Sequence, residues 1–171
     1  MRTAFISIFV IWTSLAGAEQ ATIESIADDY QQGLFERHPE LGTSYGLPDV
    51  RHDALTDNSL AAMVEWQQRE DHWLQQLNAL GMPKDIGSRD WVSFGILHEE
   101  LANAVATRIC RNELWSASTS TAWYTEMPSV CEIQPVETAD QRKQALQRLS
   151  AVAHYIDTEI ANLKLGLKSG Y

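Results

Sequence analysis

The feature that most constrains the fold is a run of apolar residues spaced three and four positions apart near the carboxyl end. Thr138 and Gln141 match the S/T-x-x-E/Q pattern of a helix start, in which each side chain satisfies a free backbone N–H group. A heptad seam follows and predicts one helix over 138–170. Such a helix is about 45 Å long, so it either pairs along its length with another helix or projects from a domain of this size. The seam consists of Leu146, Leu149, Ala153, Ile156, Ile160, Leu163 and Leu167.

Three other stretches show the helical period, and no stretch shows the alternation of a half-buried strand. The sequence therefore predicts an all-α fold, a bundle of about four helices with a long C-terminal helix and irregular connecting loops. The three helices are predicted at 22–37, 59–80 and 91–115, and irregular segments are predicted at 38–58 and 116–137. The third helix carries an apolar stripe about 140° wide, made of Trp91, Phe94, Leu97, Leu101, Ala104, Val105 and Ile109.

Charge excludes one class of partner. The 171 residues include 13 Lys+Arg and 23 Asp+Glu, which gives a formal net charge of −10. A protein this acidic repels a phosphate backbone, so no nucleic acid is expected as a partner. With 44% hydrophobic residues, the chain is expected to fold around a core.

The amino terminus has the pattern of a cleaved secretory signal. Arg2 supplies a positive charge, residues 4–15 form an apolar run, and Ala16, Gly17 and Ala18 provide small residues at a cleavage site. As a helix the run would span about 18 Å, too short for a hydrocarbon core about 30 Å thick. The chain is predicted to divide into a signal peptide at 1–18 and a mature segment at 19–171, exported to the periplasm or secreted, with no membrane association after cleavage. The alternative is a buried N-terminal helix.

Both cysteines lie in the mature segment. Cys110 and Cys131 are disulfide candidates in an oxidising compartment, and closing that loop would contribute about 3 kcal/mol in the chain-entropy model. The alternative is two unpaired buried thiols. Their spacing does not fit a C-x-x-C redox motif.

No residue of the sequence is assigned a catalytic, cofactor-binding or metal-binding role. His98 and Glu99 begin like the H-E-x-x-H motif, but Ala102 stands where the second histidine belongs and offers no lone pair. We therefore interpret His98 as a histidine at the edge of the core. No glycine-rich phosphate loop and no G-x-S-x-G elbow occurs.

Tryptophans are numerous for the length. At helical spacing they favour the core, and the alternative is that they line a groove. The residues concerned are Trp66, Trp73, Trp91, Trp115 and Trp123.

Seven stretches, in this order and spacing, resemble the amino-terminal part of the bacterial domain-of-unknown-function 885 (DUF885) family. They are 38–47 (HPELGTSYGL), 54–59 (ALTDNS), 111–115 (RNELW), 134–138 (QPVET), 145–149 (ALQRL), 155–163 (YIDTEIANL) and 166–171 (GLKSGY). Members of that family are largely helical, exported or lipid-anchored, about three times as long, and similar to zinc-dependent metallopeptidases. The resemblance places their metal-binding helix downstream of the stretches matched here, so it implies zinc for a full-length protein and none held by this chain.

Three hypotheses follow. The first is the exported N-terminal helical portion of such a hydrolase, incomplete and not catalytic by itself, which walls the active-site cleft. Its partner would be the remaining C-terminal portion or another helical element, and the full-length protein would take a peptide substrate. The second is a stand-alone secreted helical module that binds a partner or dimerises through the long helix. The third is an intact small enzyme.

Overall fold

The structure is a computed structural model that describes residues 21–115 and 123–171, with side chains described except at 123–126. The described chain is helical and confirms the all-α prediction. Two short 3₁₀ turns, Arg108–Cys110 and Asn112–Leu114, link the fourth and fifth helices. The helices are α1 (Ile23–Arg37), α2 (Pro39–Ser44), α3 (Leu60–Leu80), α4 (Arg89–Thr107), α5 (Trp123–Ile133) and α6 (Ala139–Ser169).

Polar side chains cap several of the helix starts. The predicted capping box is confirmed at α6, where Gln141 N donates to Thr138 Oγ1 at 3.2 Å and Thr138 N donates to Gln141 Oε1 at 2.9 Å. Ser59 and Ser88 cap α3 and α4 through the same type of hydroxyl acceptor. Gly170 ends α6 in the left-handed conformation.

The hydrophobic core lies between α1, α3 and α4. It consists of large side chains that are almost completely buried, and the half-buried Tyr30, Trp66 and Leu74 pack against it. Burying each of these side chains contributes about 1.5–3 kcal/mol, so this three-helix unit holds most of the apolar stabilisation. The core residues are Ile26, Trp73, Leu77, Phe94, Leu97 and Leu101.

A close contact sets the spacing of α1 and α3. Gly33 of α1 faces Arg69 and Trp73 of α3, and a Cβ at Gly33 would lie 2.3 Å from Arg69 Nη2. The Arg69 guanidinium stacks over Trp73 at 4.9 Å, and Trp73 Nε1 donates to Asp29 Oδ2 at 2.6 Å. The indole is therefore buried with its polar edge paired.

The predicted helix at 91–115 is too long, since α4 ends at Thr107. The Thr107 hydroxyl donates back to the carbonyls of Asn103 and Ala104, and Arg111 has the left-handed φ of 48° that stops a helix. Arg108 turns toward α3 and pairs with Glu70 and Asp71 at 2.9 and 2.7 Å. Ile109, expected in the buried stripe, is consequently 84% exposed.

Two segments expected to be irregular contain helices. The six-residue α2 lies within the predicted 38–58 connection, and α5 lies within 116–137 although Pro128 sits inside it. Proline at the start of α2 needs no N–H donor there, which makes a short helix compatible with Pro39. The prediction of irregular structure was wrong over these residues because it relied on the lack of a helical period, and helices this short need not show one.

None of the helices described is long and apolar enough to cross a membrane. The predicted signal peptide at 1–18 lies outside the described residues.

Candidate interaction surface

The long helix α6 buries a polar face. Arg148, only 3% exposed, donates to three acceptors outside α6. Its Nε reaches the Ala54 carbonyl at 2.8 Å, its Nη2 reaches the Arg51 carbonyl at 2.7 Å, and its Nη1 reaches Gln134 Oε1 at 2.6 Å. Gln134 in turn donates to the His52 carbonyl at 3.1 Å. One guanidinium thus fastens the α2–α3 connection (residues 45–59) to α6.

Among the residues that the structure describes, no carboxylate is in ion-pair contact with Arg148. Burial lowers the pKa of its guanidinium, and the more distant Glu40 and Asp53 carboxylates oppose that shift. The guanidinium still keeps its proton there, because arginine is the most basic of the side chains. Two carbonyls and one amide oxygen therefore solvate the charge, and losing them would be costly.

Two asparagines continue this attachment toward the carboxyl end of α6. Asn58 donates to the Tyr155 carbonyl at 3.0 Å and to Glu159 Oε2 at 3.1 Å. The buried Asn162 donates to the Asn58 carbonyl at 2.9 Å. Arg148, Tyr155, Glu159 and Asn162 are spaced by seven, four and three residues, so they form one stripe, which we call the polar face of α6.

Glu40 and His38 hold the same connection from its other side. The Glu40 carboxylate accepts from the Thr56 backbone N–H at 3.0 Å and from the Thr56 hydroxyl. Because the hydroxyl donates to Glu40, His38 Nδ1 must donate to Thr56 Oγ1, at 2.8 Å. Burial lowers the pKa of His38, with Arg37 acting in the same direction and Glu40 against it. These residues position the connection and leave no side chain poised as a nucleophile.

The carboxyl end of α6 meets the second 3₁₀ turn at van der Waals distance. A Cβ at Gly166 would lie 1.8 Å from the Leu114 carbonyl oxygen, so only glycine fits this contact. Leu114 is 3% exposed beneath it. The segment 111–115 therefore packs directly against α6.

The stretches that carry the family resemblance therefore form one connected network. Residues 38–47 hold 54–59 through Glu40, 54–59 bind 155–163 through Asn58, and 134–138 bind 145–149 through Arg148. The segments 111–115 and 166–171 meet at Gly166. The pattern reflects how α6 is attached.

The predicted heptad seam lies beside the polar face on α6 and faces solvent. Ile156 and Leu163 are half-buried, and Ala153 is exposed. A continuous apolar stripe that faces water marks a surface that another molecule or segment covers. Its most exposed members are Leu167 at 76%, Leu146 at 66%, Leu149 at 51% and Ile160 at 43%. We call this stripe the apolar seam.

An apolar hollow of about 120 Å³ adjoins the apolar seam at Leu149. It lies between α5 and α6, so apolar surface extends sideways from the middle of the long helix. Its lining includes Met127, Val130, Cys131, Val136, Ala145 and Leu149.

The cysteines differ from one of the two expectations. Cys110 and Cys131 are both exposed and are not bonded to each other, so the alternative of two unpaired buried thiols is wrong in their burial. The disulfide stays a prediction that a thiol count on exported protein would test.

His98 lies at the edge of the core, as interpreted. Its ring stacks on Phe94 with a centroid separation of 5.5 Å, and its Nε2 hydrogen-bonds Asn78 Oδ1 at 3.2 Å. Glu99 accepts from Asn103 on its own helix. Within 21–115 and 123–171, no three His, Cys, Asp or Glu side chains converge on a metal position. We assign no metal ligand among these residues.

The tryptophans divide between the expected environments. Trp73 is in the core and Trp66 packs against it, as predicted. Trp115 is instead 51% exposed, with Nε1 donating to the Cys110 carbonyl at 2.6 Å. The side chain of Trp123 lies outside the described residues.

The polar face of α6 was not predicted from the sequence. Arg148, Tyr155 and Asn162 recur every seven residues beside the apolar heptad. That second periodicity was the available signal.

The comparison with family models decides the assignment. A model described as "Bacterial protein of unknown function (DUF885)" matches residues 39–171. The chain belongs to this family. The match begins at the first residue of α2 and contains the network around α6 except for His38, whereas α1 lies outside it. A search of curated proteins finds no match.

Proposed function

We propose that this DUF885 chain is the N-terminal helical portion of an exported hydrolase and that it supplies a docking surface and no catalytic group. The observation that supports this role is the exposed apolar seam of α6. A second helix laid along it would complete the coiled-coil packing that the heptad specifies. The docked portion would carry the peptidase-like chemistry, and this chain would wall the cleft.

The attachment of α6 favours a docking role. The polar face is anchored at Arg148 and Asn162, and Gly166 lies against the second 3₁₀ turn. Together these contacts fix the rotation of the helix about its axis. The apolar seam is therefore presented in a defined direction, and a partner need not order it first. Preorganisation of this kind lowers the entropic cost of association.

Export is proposed from the sequence pattern at residues 1–18. Mass spectrometry of protein recovered from the periplasm or medium should give a mature chain that begins at Glu19. Full-length protein retained in the cytoplasm would contradict export.

A hydrophobic dye tests the docking role. The purified chain should be folded by circular dichroism and should still enhance dye fluorescence. The triple variant Leu146→Gln, Ile160→Gln, Leu167→Gln should keep its helix content and lose most of that fluorescence. Ile86→Gln is the matched control, because Ile86 is 80% exposed but lies in the α3–α4 connection. A folded wild-type chain that binds no dye would overturn the proposal.

The absence of catalysis is tested separately. The purified chain, assayed on a broad peptide library with and without added zinc, should give no hydrolysis above a heat-killed control. Turnover that survives rigorous purification would favour the intact-enzyme hypothesis.

A further inference from the structure

We propose that the occupant of the apolar seam is an amphipathic helix edged with Asp and Glu, and not a second copy of this chain. The inference rests on the proposed docking role and adds the chemistry of the partner. It comes from the distribution of charge around α6.

The charge of α6 is opposite in sign to that of the remaining chain. Residues 139–169 contain five of the 13 Lys+Arg but only three of the 23 Asp+Glu. The other residues therefore hold eight basic against 20 acidic side chains. The helix that exposes the apolar seam is a basic element on an acidic protein.

The two edges of the apolar seam differ. One edge is covered by the protein itself, where Ala145, Arg148, Asn162 and Gly166 are buried. The other edge is open, and the charged residues along it are three lysines and one aspartate. Charges that flank a heptad seam select the partner and its orientation. The open-edge residues are Lys143, Asp157, Lys164 and Lys168, all exposed.

Self-pairing through the apolar seam is unfavourable in either orientation. In a parallel twofold pair, the open edge of each copy would face the covered edge of the other copy, where Ala145 and Gly166 are already buried by that copy's own chain. In an antiparallel pair, Lys143 lies near the carboxyl-terminal lysines of the other copy. Like charges at such spacing destabilise helix pairs, whereas carboxylates at the same places would attract.

Two designed peptides test the charge of the partner. Both are about 28 residues long with the same leucine heptad, and they carry Glu or Lys at the edge positions. Binding to the purified full chain is followed by fluorescence anisotropy, with peptide helicity matched beforehand. At low ionic strength the Glu peptide should bind roughly tenfold more tightly than the Lys peptide, and about 0.5 M salt should reduce that ratio.

Charge reversal on the protein provides the matched comparison. The triple variant Lys143→Glu, Lys164→Glu, Lys168→Glu should invert the preference between the two peptides. Lys84→Glu changes the net charge at an exposed site in the α3–α4 connection, so it should leave the preference unchanged. Circular dichroism checks that each variant keeps its fold.

The outcomes separate this inference from the docking role beneath it. If neither peptide binds the wild-type chain, both are overturned. If the two peptides bind equally, or the Lys peptide binds more tightly, docking stands and the acidic partner is wrong. A concentration-dependent dimer that Ile160→Asp abolishes would identify a second copy as the occupant and overturn the inference.

Discussion

The two halves of the described molecule differ in the side chains that they bury, which are apolar in one half and mainly polar in the other. The α1–α3–α4 unit is held by Trp73, Leu77 and Leu101, each at most 1% exposed. The α6 helix is held by Arg148, Asn162 and Gly166, while most of its leucines face water. In the first region burial of apolar area provides the stability, and in the second directed hydrogen bonds fix a helix whose apolar side is left for another surface.

The difference shows what each kind of contact specifies. Apolar packing tolerates exchange among side chains of similar volume, so it determines stability more than orientation. The contacts of Arg148 with the Ala54 and Arg51 carbonyls exist at one rotation of α6 only. A helix that presents a docking face benefits from that second kind of attachment.

The largest effect is expected at the contact between α6 and the second 3₁₀ turn. Gly166→Ala would place a Cβ against the Leu114 carbonyl, so the free energy of unfolding should fall by about 3 kcal/mol. Gly95→Ala is the control, because Gly95 lies within α4 with open space around it. Alanine there should raise the free energy of unfolding by about 0.5–1 kcal/mol. Urea denaturation of both variants measures the difference, and equal effects would remove the distinction between these sites.

A smaller effect is expected where α6 holds the α2–α3 connection. Asn162→Ala removes the donor to the Asn58 carbonyl and should lower the free energy of unfolding by about 1.5 kcal/mol. Hydrogen exchange should accelerate within 45–59 and stay unchanged in the α1–α3–α4 core. The exposed neighbour Lys164→Ala should change stability by less than about 0.5 kcal/mol. Uniformly faster exchange would argue against a local attachment.

Acidification should weaken the attachment at His38. Burial lowers its pKa below the ordinary 6.5, so the folded state takes up this proton less readily than the unfolded state. The stability that His38 contributes in its neutral form is present above pH 6.5. It declines as the pH falls from there toward the lowered pKa. His38→Gln should therefore reduce the loss of stability between about pH 7 and pH 5. His72→Gln, at an exposed site on α3, should not, and an unchanged pH dependence in His38→Gln would contradict the assignment.

Local signals in the sequence predicted much of the architecture. The capping box at Thr138, the stop at Gly81 and the apolar stripes of α3 and α4 are encoded within one or two helical turns, so they could be identified directly. The end of α4 at Thr107 could not, because it depends on Arg108 reaching Glu70 and Asp71, nearly 40 positions away.

The candidate surface could also be predicted only in part, because local patterns are visible in the sequence and long-range contacts are not. Periodicity predicted the apolar seam, and the structure places its residues on one stripe of α6. It did not indicate which neighbouring face of α6 is buried, because that depends on carbonyls of residues 51 and 54, which lie nearly 100 positions from Arg148. Long-range contacts with backbone groups leave no pattern in side-chain hydrophobicity.

Adjacent residues 148 and 149 allow the most direct test of the account. Arg148→Met leaves three acceptors unpaired, so the free energy of unfolding should fall by about 2–3 kcal/mol although the new side chain is apolar. Leu149→Gln places a polar group on an exposed seam position and should change it by less than about 0.5 kcal/mol. Urea denaturation of the two variants side by side gives this order if α6 is fixed by its polar face. A larger loss in Leu149→Gln than in Arg148→Met would contradict it.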